Sequence, residues 1–377
     1  MKKNSISNNG LRTWIEIDRK KIKHNYNIFR NLIPKKCQLM AIVKSNAYGH
    51  SLLDFSKEME KLGADWLGVD SIVEAESLRK ANIKTKILIL GYTLPEKIPS
   101  AIKNNISLTV SNFENLKTLE KIKSAKPAKI HLKIDTGMHR QGFFVSDLQK
   151  VVNILKKNKK KILVEGIYTH FAAAKNPALP KDTLNQLSEF KKAVDIIKKA
   201  SFNPIKHAAA TSGTIIFPQA HFDMIRVGIG LYGMWPSKET QAAYQHKINL
   251  KPILSWKTKI GEVKKLKNGN KIGYDFTETL TRDSRIGILP IGYWHSYDRA
   301  LSGIGPVVIK NKTTKVLGRI SMDMTAIDLT KIKNARIGNE VILIGENNTA
   351  DKLADLANTI NYEITTRINP LIKRIYK

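Results

Sequence analysis

Eight short apolar segments recur along the first two thirds of the chain, and each is followed by a helix-like segment or a turn. Segments of helical periodicity lie between them, among them Ser51–Leu62, Ile72–Asn82, Asn112–Ser124, Val145–Lys157 and Asp182–Ala200. The apolar segments are Leu39–Lys44, Trp66–Asp70, Lys86–Gly91, Ser107–Ser111, Ile130–Asp135, Ile162–His170, Ile205–Ala210 and Phe222–Val227. Strands that alternate with helices form parallel sheets, and eight such units predict an α/β fold with a TIM-like (β/α)8 barrel over residues 19–245.

The pattern changes after about Gln245, where strand-like runs separated by turn residues replace the helices. The runs predict strands at Ile253–Leu266, Arg285–Tyr293, Val307–Ile309, Lys315–Asp328 and Glu340–Gly345, with a turn at 268–270 and one clear helix, Asp351–Ile360. We assign residues 246–377 to a mainly β C-terminal domain. The alternating strand Thr13–Asp18 also belongs to it, which adds residues 1–18, and Asp18 is suited to cap the helix that follows.

The chain is strongly basic, with 64 Lys and Arg against 32 Asp and Glu and a net charge of +32. Such a balance raises the question of a nucleic-acid partner. The lysines are spread over predicted helix faces, however, and no aromatic-interleaved basic stripe or zinc-finger pattern accompanies them. We therefore interpret the charge as a lysine-biased solvated surface and expect no nucleic acid as partner.

The sequence favours a protein of the cytoplasm. No run approaches the eighteen apolar residues of a membrane span, so no membrane association is expected. The start, Met1 to Arg12, has no apolar core of the kind a secretory signal needs, and we expect it to be frayed. The single cysteine, Cys37, cannot form an internal disulfide and fits a reducing compartment.

Lys44 ends the first apolar segment, in the stretch AIVKSNAYGH. A lysine amine taken partly out of water titrates lower than a surface amine, and its neutral form can join an aldehyde such as pyridoxal phosphate. Tyr48, four residues later, is placed to reach the phosphate of such a group. Spacing alone also allows Lys44 to be a solvent-facing lysine at a strand end.

Polar residues also follow other predicted strands, at the barrel end where catalytic groups lie. The loops after the seventh and eighth strands are rich in small residues and hydroxyls, as is common where a barrel binds phosphate. Each residue alone has an ordinary explanation as a satisfied rim residue, but together they predict one site. The polar features on this rim are Lys44, Arg140, His170, Thr211, and Arg226 with Gly228.

The stretch AIVKSNAYGH resembles the pyridoxal-phosphate attachment motif of alanine racemases, and later stretches match in the same order from about Trp14 to Tyr376. The resemblance implies a cofactor joined to Lys44, with Arg226 facing its ring nitrogen and His170 supporting that arginine. It assigns phosphate contacts to Tyr48, Thr211, Gly228, Ile229 and Tyr362. The family usually has serine after asparagine where Ala210 and Thr211 lie here, but the hydroxyl is kept.

The resemblance also implies two bases on opposite faces of the substrate. Lys44 serves one face, and Tyr274 matches the tyrosine that serves the other from the C-terminal domain of a partner subunit, which implies a homodimer with shared sites. The family usually has glycine after this tyrosine, where Asp275 lies here. Without the resemblance, Tyr274 would be interpreted as an aromatic residue after a hairpin turn.

The substrate carboxylate is assigned by the same resemblance to Arg140, in the stretch DTGMHR, and to the backbone N–H of Met322. Lys133 matches a lysine that is often carbamylated in relatives, where it orients the arginine. Tyr362 narrows the pocket in the family and favours a methyl side chain. Positions that line or support the substrate channel are Tyr293, Arg299, Arg319 and Asp323, while Trp294 and His295 replace small and acidic residues of the family there.

These features predict an alanine racemase activity that interconverts L- and D-alanine and supplies D-alanine for peptidoglycan. A racemase of another small amino acid such as serine is the nearest alternative. A basic nucleic-acid-binding protein on a barrel scaffold is a distant one.

Overall fold

The structure is a computed structural model that describes residues 10–377. These residues form two compact units. The barrel unit comprises residues 22–47 and 52–251, and the β unit comprises residues 10–21, 48–51 and 252–377. Most of the predicted frayed start, Met1 to Arg12, lies outside the described residues.

The barrel unit contains a sheet of eight parallel strands, which confirms the predicted fold class. Neighbours in the sheet follow chain order, and the first strand also pairs with the eighth, with Met40 opposite Arg226. The first strand reads as a continuous apolar run because the barrel buries both of its faces. The strands are Gln38–Ile42, Trp66–Val69, Lys86–Ile89, Ser107–Val110, Ala128–Lys133, Ile162–Tyr168, Ile205–His207 and Met224–Val227.

The barrel closes between its seventh and eighth strands through a few hydrogen bonds rather than a full ladder. Asp223 donates its N–H to the carbonyl of Lys206 at 3.0 Å, and its carboxylate accepts the N–H of Lys206 at 2.9 Å. Farther along, the N–H of Arg226 donates to the carbonyl of Ala209 at 2.9 Å. This closure brings the loop after the seventh strand beside Arg226.

The longer helices pack on the barrel through one apolar stripe. In Leu148–Lys157 the buried residues are Leu148, Val151, Val152 and Leu155, which is the spacing of one helical face. Asp18 accepts the N–H groups of Lys20 and Lys21, so it caps the first helix as predicted. The helices from Arg19 to Tyr244 are Arg19–Asn31, Leu52–Leu62, Ile72–Lys80, Ile98–Lys103, Phe113–Lys121, Leu148–Lys157, Lys181–Lys199, Thr211–Ile216 and Lys238–Tyr244.

The β unit is built on a nine-stranded sheet. The strand at the start of the described chain lies between Leu254–Lys259 and the last strand of the chain. In spatial order the strands are Glu262–Leu266, Ser284–Leu289, Thr325–Asp328, Lys312–Leu317, Pro306–Ile309, Glu340–Ile344, Leu254–Lys259, Thr13–Ile17 and Arg374–Tyr376. A separate pair joins Lys271–Ile272 to Glu278–Thr279.

Three predictions for the β unit were wrong in detail. The predicted strand Ile253–Leu266 is two strands, Leu254–Lys259 and Glu262–Leu266. The predicted strand Lys315–Asp328 is also two strands, because the chain turns at Gly318, which has a φ of 64°. The predicted helix Asp351–Ile360 ends early, as Ala350–Leu356, because Asn358 adopts a left-handed φ of 53°, and a second helix that was not predicted follows at Asn361–Thr366. Among residues 10–377, no helix has the length and apolar character needed to cross a membrane.

Candidate active site

Lys44 lies just past the end of the first barrel strand, on the rim where the sequence places it. The preceding residue, Val43, is still tied to the sheet, since its N–H donates to the carbonyl of Gly68 at 2.9 Å. The Lys44 side chain is 39% exposed, and its Nζ lies 3.7 Å from Oδ1 of Asp70. The amine is therefore accessible at the rim and has one carboxylate close to it.

The four residues after Lys44 form a left-handed helical turn. Ser45, Asn46, Ala47 and Tyr48 have φ values of 56°, 55°, 52° and 53°, and the first three have ψ values of 53°, 41° and 51°. None of them is glycine, and left-handed backbone costs other L-residues about 1–2 kcal/mol each. Backbone strain of this kind is concentrated at functional sites, where surrounding contacts maintain it.

Arg226, in the eighth strand, is a buried cation whose hydrogen-bond acceptors among residues 10–377 are all neutral. It is 3% exposed, and its guanidinium donates to the carbonyl oxygens of Thr169 and Ala208, both at 2.8 Å. It also donates to Nδ1 of His170 at 3.3 Å and to Nδ1 of His207 at 3.1 Å. Burial lowers the pKa of Arg226 to about 10, so the group stays charged at neutral pH.

A chain of hydrogen bonds leads from Arg226 into the barrel interior. Because a guanidinium only donates, His207 accepts on Nδ1 and, when neutral, carries its proton on Nε2. That nitrogen lies 2.9 Å from Nδ1 of His131, whose own proton is then on Nε2, 3.7 Å from Oε2 of Glu165. Burial, with the nearby Arg226 charge, lowers the pKa of both histidines, which keeps them neutral.

Lys133 ends the fifth strand and is 5% exposed. Its Nζ lies 4.4 Å from the centre of the Tyr168 ring, and the same ring stacks on His207 at 4.7 Å. Burial, together with the positive charges of Arg226 and Arg140, lowers the pKa of Lys133 well below its ordinary value. A lysine in this environment is biased toward the neutral, nucleophilic amine.

Arg140 lies in a loop that Asp135 organises. One carboxylate oxygen of Asp135 accepts the N–H groups of Gly137, Met138 and His139, at 3.0, 3.1 and 3.0 Å. This cap turns the chain at the rim and leaves Arg140 exposed to solvent. Arg140 also contributes to the lowered pKa of His170, after burial and the charges of Arg226 and Lys133.

Thr211 lies at the start of a short helix after the seventh strand and is 4% exposed. Its Oγ1 accepts the N–H groups of Gly228 and Gly230 at 3.3 and 3.4 Å. Gly230 is required here, since a Cβ would lie 2.3 Å from Cζ of Phe29. The structure thus brings Thr211, Gly228 and the adjacent Ile229 together.

Tyr48 and Tyr362 belong to the β unit, where their ring centres are 6.0 Å apart. Burial raises the pKa of Tyr48 to about 12 and raises the pKa of Tyr362 as well. Both hydroxyls therefore stay protonated and able to donate at neutral pH. The backbone is packed closely beside them, because a Cβ on Gly49 would lie 2.0 Å from the carbonyl oxygen of Thr365.

Tyr274 lies on an exposed turn of the β unit and is 69% exposed. The turn is left-handed at Asp275 and Phe276, with φ values of 58° and 49°, which is where the sequence places aspartate instead of the family's glycine. Asp275 also pairs with Arg319, with Oδ2 at 3.0 Å from Nε. This pair connects the Tyr274 turn to the loop that contains Met322 and Asp323.

The remaining predicted channel residues lie on exposed loops of the β unit. Tyr293 and Met322 are 43% and 55% exposed, Arg299 is exposed as well, and the N–H of Trp294 donates to the carbonyl of Met322 at 3.0 Å. His295, by contrast, is 5% exposed, and its Nδ1 accepts the N–H of Gly292 at 3.2 Å. The His295 ring therefore supports the loop. Its Nδ1 also lies 3.9 Å from Oδ1 of Asp323.

Three residues of the barrel interior were missed by the sequence interpretation, namely His131, Glu165 and His207. A signal was present, since Lys129, His131 and Lys133 alternate with apolar residues and so place polar side chains on one face of the fifth strand. Their partners come from neighbouring strands and depend on the register, which periodicity does not give.

The barrel and the reactive side chains on its rim define an enzyme of the (β/α)8-barrel class. The family described as "Alanine racemase, N-terminal domain" matches residues 17–236, and "Alanine racemase, C-terminal domain" matches residues 253–376. An alanine racemase of Leptospira interrogans is 38% identical over 374 residues, which cover 96% of this chain and 95% of that protein.

Comparison with solved structures identifies the same family. An alanine racemase of Clostridium difficile 630 superposes with a TM-score of 0.93 at 33% identity, over 97% of this chain and 96% of that chain. One from Bacillus anthracis, solved with bound L-Ala-P, gives a TM-score of 0.91 at 31% identity over 97% and 95%. The chain therefore belongs to the alanine racemase family, and so to the isomerases.

Gly166 provides a test of the buried histidine chain. A Cβ at this position would lie 2.1 Å from Nδ1 of His131, so Gly166→Ala must displace a fully buried ring. We expect destabilisation of about 2 kcal/mol or more, measured as a lower thermal unfolding midpoint. Gly261→Ala is the control, because its Cβ would meet its nearest atom at 3.5 Å. Equal midpoints for the two variants would contradict the packing described here.

Proposed function

We propose that this protein interconverts L- and D-alanine with pyridoxal phosphate as cofactor, using Lys44 and Tyr274 to move the α-proton. The observation that carries the proposal is the pairing of the first and eighth barrel strands. It places the accessible amine of Lys44 and the buried cation of Arg226 at the ends of neighbouring strands, with Met40 opposite Arg226. In the proposal the product D-alanine supplies peptidoglycan synthesis in the cytoplasm, where a free thiol such as the buried Cys37 is expected.

The residues present fit pyridoxal phosphate. In the barrel unit, Thr211 and two glycine N–H groups form a small polar cluster of the kind that binds phosphate. Lys44 would anchor the aldehyde, and Arg226 would face the ring nitrogen. Tyr48, Tyr362, Gly228 and Ile229 complete the proposed phosphate contacts. When bound, the cofactor supplies an electron-withdrawing group that acidifies the α-hydrogen of an attached amino acid.

Arg226 explains why racemisation is favoured over other chemistry. Its guanidinium donates and cannot accept, so a ring nitrogen facing it stays unprotonated. A cofactor bound beside Arg226 would then withdraw electrons only moderately. A proton removed from the substrate is returned quickly, which disfavours transamination. The four neutral acceptors around Arg226 hold the guanidinium in one orientation.

Two bases are needed because racemisation removes a proton from one face and returns it to the other. In the proposal, Lys44 Nζ acts on one face and the Tyr274 hydroxyl of a partner subunit acts on the other. Arg140, with the backbone N–H of Met322, binds the substrate carboxylate. The channel is lined or supported by Tyr293, Arg299, Arg319 and Asp323.

A homodimer is part of the proposal, and the exposed apolar side chains near Tyr274 support it. Phe276, Trp294 and Met322 are 64%, 57% and 55% exposed, and Met324 is 59% exposed. They lie on three loops that contact one another through the Arg319–Asp275 pair and the Trp294–Met322 hydrogen bond. Exposed apolar groups concentrated in this way are typical of a protein interface.

The cofactor and its anchor can be tested on the purified protein. We expect visible absorbance that shifts on borohydride reduction, with the added mass mapped to the peptide that contains Lys44. Lys44→Ala should lose the reducible attachment, while Lys206→Ala, which removes a seventh-strand lysine paired with Asp223, should keep it. A colourless wild-type protein that also fails to bind added pyridoxal phosphate would refute the proposal. Assays with L-alanine and L-serine then decide the substrate.

The shared site can be tested by mixing two inactive variants. Lys44→Ala and Tyr274→Phe should each lower racemisation by about 100-fold or more. Co-expressed, they should recover about one quarter of the wild-type activity per chain, since half of randomly formed dimers are mixed and each has one intact site. Tyr92→Phe, on an exposed tyrosine of the barrel unit, is the control and should stay active. No recovery in isolated mixed dimers would exclude a tyrosine from the partner subunit.

Lys133 provides a third test of the proposed function, because its lowered pKa favours reaction of the neutral amine with carbon dioxide. We propose that it forms a carbamate, in which the amine nitrogen bonds to carbon and one proton is released. The negative group would then pair with Arg140. Native mass spectrometry in bicarbonate should show one added carbon dioxide that is absent from Lys133→Ala. An unmodified wild-type mass would contradict this.

A further inference from the structure

A carboxylate on the helix Ile72–Lys80 accepts backbone N–H groups from the left-handed turn after Lys44. Oε1 of Glu74 accepts the N–H of Ser45 at 2.7 Å and the N–H of Asn46 at 3.4 Å. These are the first two residues of the turn, and their N–H groups point the same way because the backbone is left-handed there. Successive N–H groups that converge in this manner form a small anion-binding site.

The same carboxylate also fixes the neighbouring loop. Oε2 of Glu74 accepts the N–H of Asp70 at 2.8 Å, and Asp70 is the residue whose side chain lies 3.7 Å from Lys44 Nζ. The backbone of Asp70 is closely packed, since a Cβ on Gly91 would lie 2.4 Å from the Asp70 carbonyl oxygen. Glu74 therefore connects both loops that border the amine.

Glu74 is itself well anchored. It lies in the first turn of the helix Ile72–Lys80, and its own N–H donates to Oγ of the capping residue Ser71 at 3.4 Å. Within residues 10–377, its carboxylate pairs with no lysine or arginine side chain, so its charge is matched by the three backbone N–H groups. Hydrogen bonds to a charged acceptor are stronger than neutral ones, which suits a strained turn.

We propose that Glu74 is a positioning residue for Lys44. It maintains the left-handed turn against its backbone strain and so keeps the amine where it can join the aldehyde of pyridoxal phosphate. This inference rests on the proposed function for the identity of the cofactor. The clamp itself, meaning the Glu74 carboxylate and its three N–H donors, is a property of the chain alone.

The clamp is tested by hydrogen–deuterium exchange on the full-length protein without added cofactor. In Glu74→Ala, the amides of Ser45 and Asn46 should exchange about tenfold faster or more, because both lose their acceptor. Glu74→Gln keeps one acceptor oxygen and should give an intermediate result. Glu76→Gln is the matched control, since Glu76 lies on the same helix but accepts Oγ of Ser100 at 2.5 Å. Unchanged exchange in both Glu74 variants would overturn the clamp.

The effect on Lys44 is tested by the rate of covalent attachment of pyridoxal phosphate. At saturating concentration, the concentration-independent step should slow by about 10- to 100-fold in Glu74→Ala, as expected for a misplaced reacting group. The concentration-dependent binding step should change less than about threefold, because the proposed phosphate contacts are intact. Equal attachment rates in Glu74→Ala and wild type, despite faster exchange, would overturn the positioning role.

The two proposals fail in distinguishable ways. A wild-type protein that does not attach pyridoxal phosphate refutes the proposed function, while the exchange experiment still decides whether Glu74 holds the turn. If Glu74→Ala misfolds, as judged by circular dichroism, the more conservative variant Glu74→Gln is used to measure both amide exchange and the rate of attachment. A Glu74→Gln protein with wild-type exchange and wild-type attachment would overturn the inference.

Discussion

The buried positive charge of Arg226 is the constraint on which the barrel interior depends. No carboxylate within residues 10–377 pairs with it, and its partners are two carbonyl oxygens and two histidine nitrogens. One retained charge in a region of low dielectric disfavours further positive charge nearby. The lowered pKa values of Lys133, His170 and His207 follow from burial first and from Arg226 second. The barrel interior therefore combines one buried, charged guanidinium with neighbours whose protonated forms are disfavoured.

Much of the fold is predictable from the sequence because its signals are local. Each barrel strand is a short apolar run, and all eight appear in the structure within a few residues of their predicted ends. The errors lie where local and tertiary signals conflict. Lys315–Asp328 looks continuous because its residues suit a strand, yet Gly318 turns the chain there. Asn358 ends a helix that composition alone would extend to Ile360.

The candidate site is less predictable from residue patterns alone. The rim residues Lys44, Thr211 and Arg226 could be placed at strand ends by counting, and the family resemblance supplied roles that counting could not. Neither strand counting nor the family resemblance identified the supporting residues. Glu74 acts on a turn some thirty residues earlier in the chain, and propensity argues against a left-handed turn without glycine. Contacts that depend on strand register or backbone strain are not encoded in local periodicity.

The order of strands in the β unit has a consequence for synthesis of the protein. Thr13–Ile17, among the first described residues to leave the ribosome, pairs on one side with Leu254–Lys259 and on the other with Arg374–Tyr376. Trp14, Ile15 and Ile17 are fully buried in the finished sheet. Until Arg374–Tyr376 emerges, this strand lacks one neighbour and exposes apolar side chains with an unpaired edge. The nine-stranded sheet can therefore be completed only after the whole barrel unit has been synthesised.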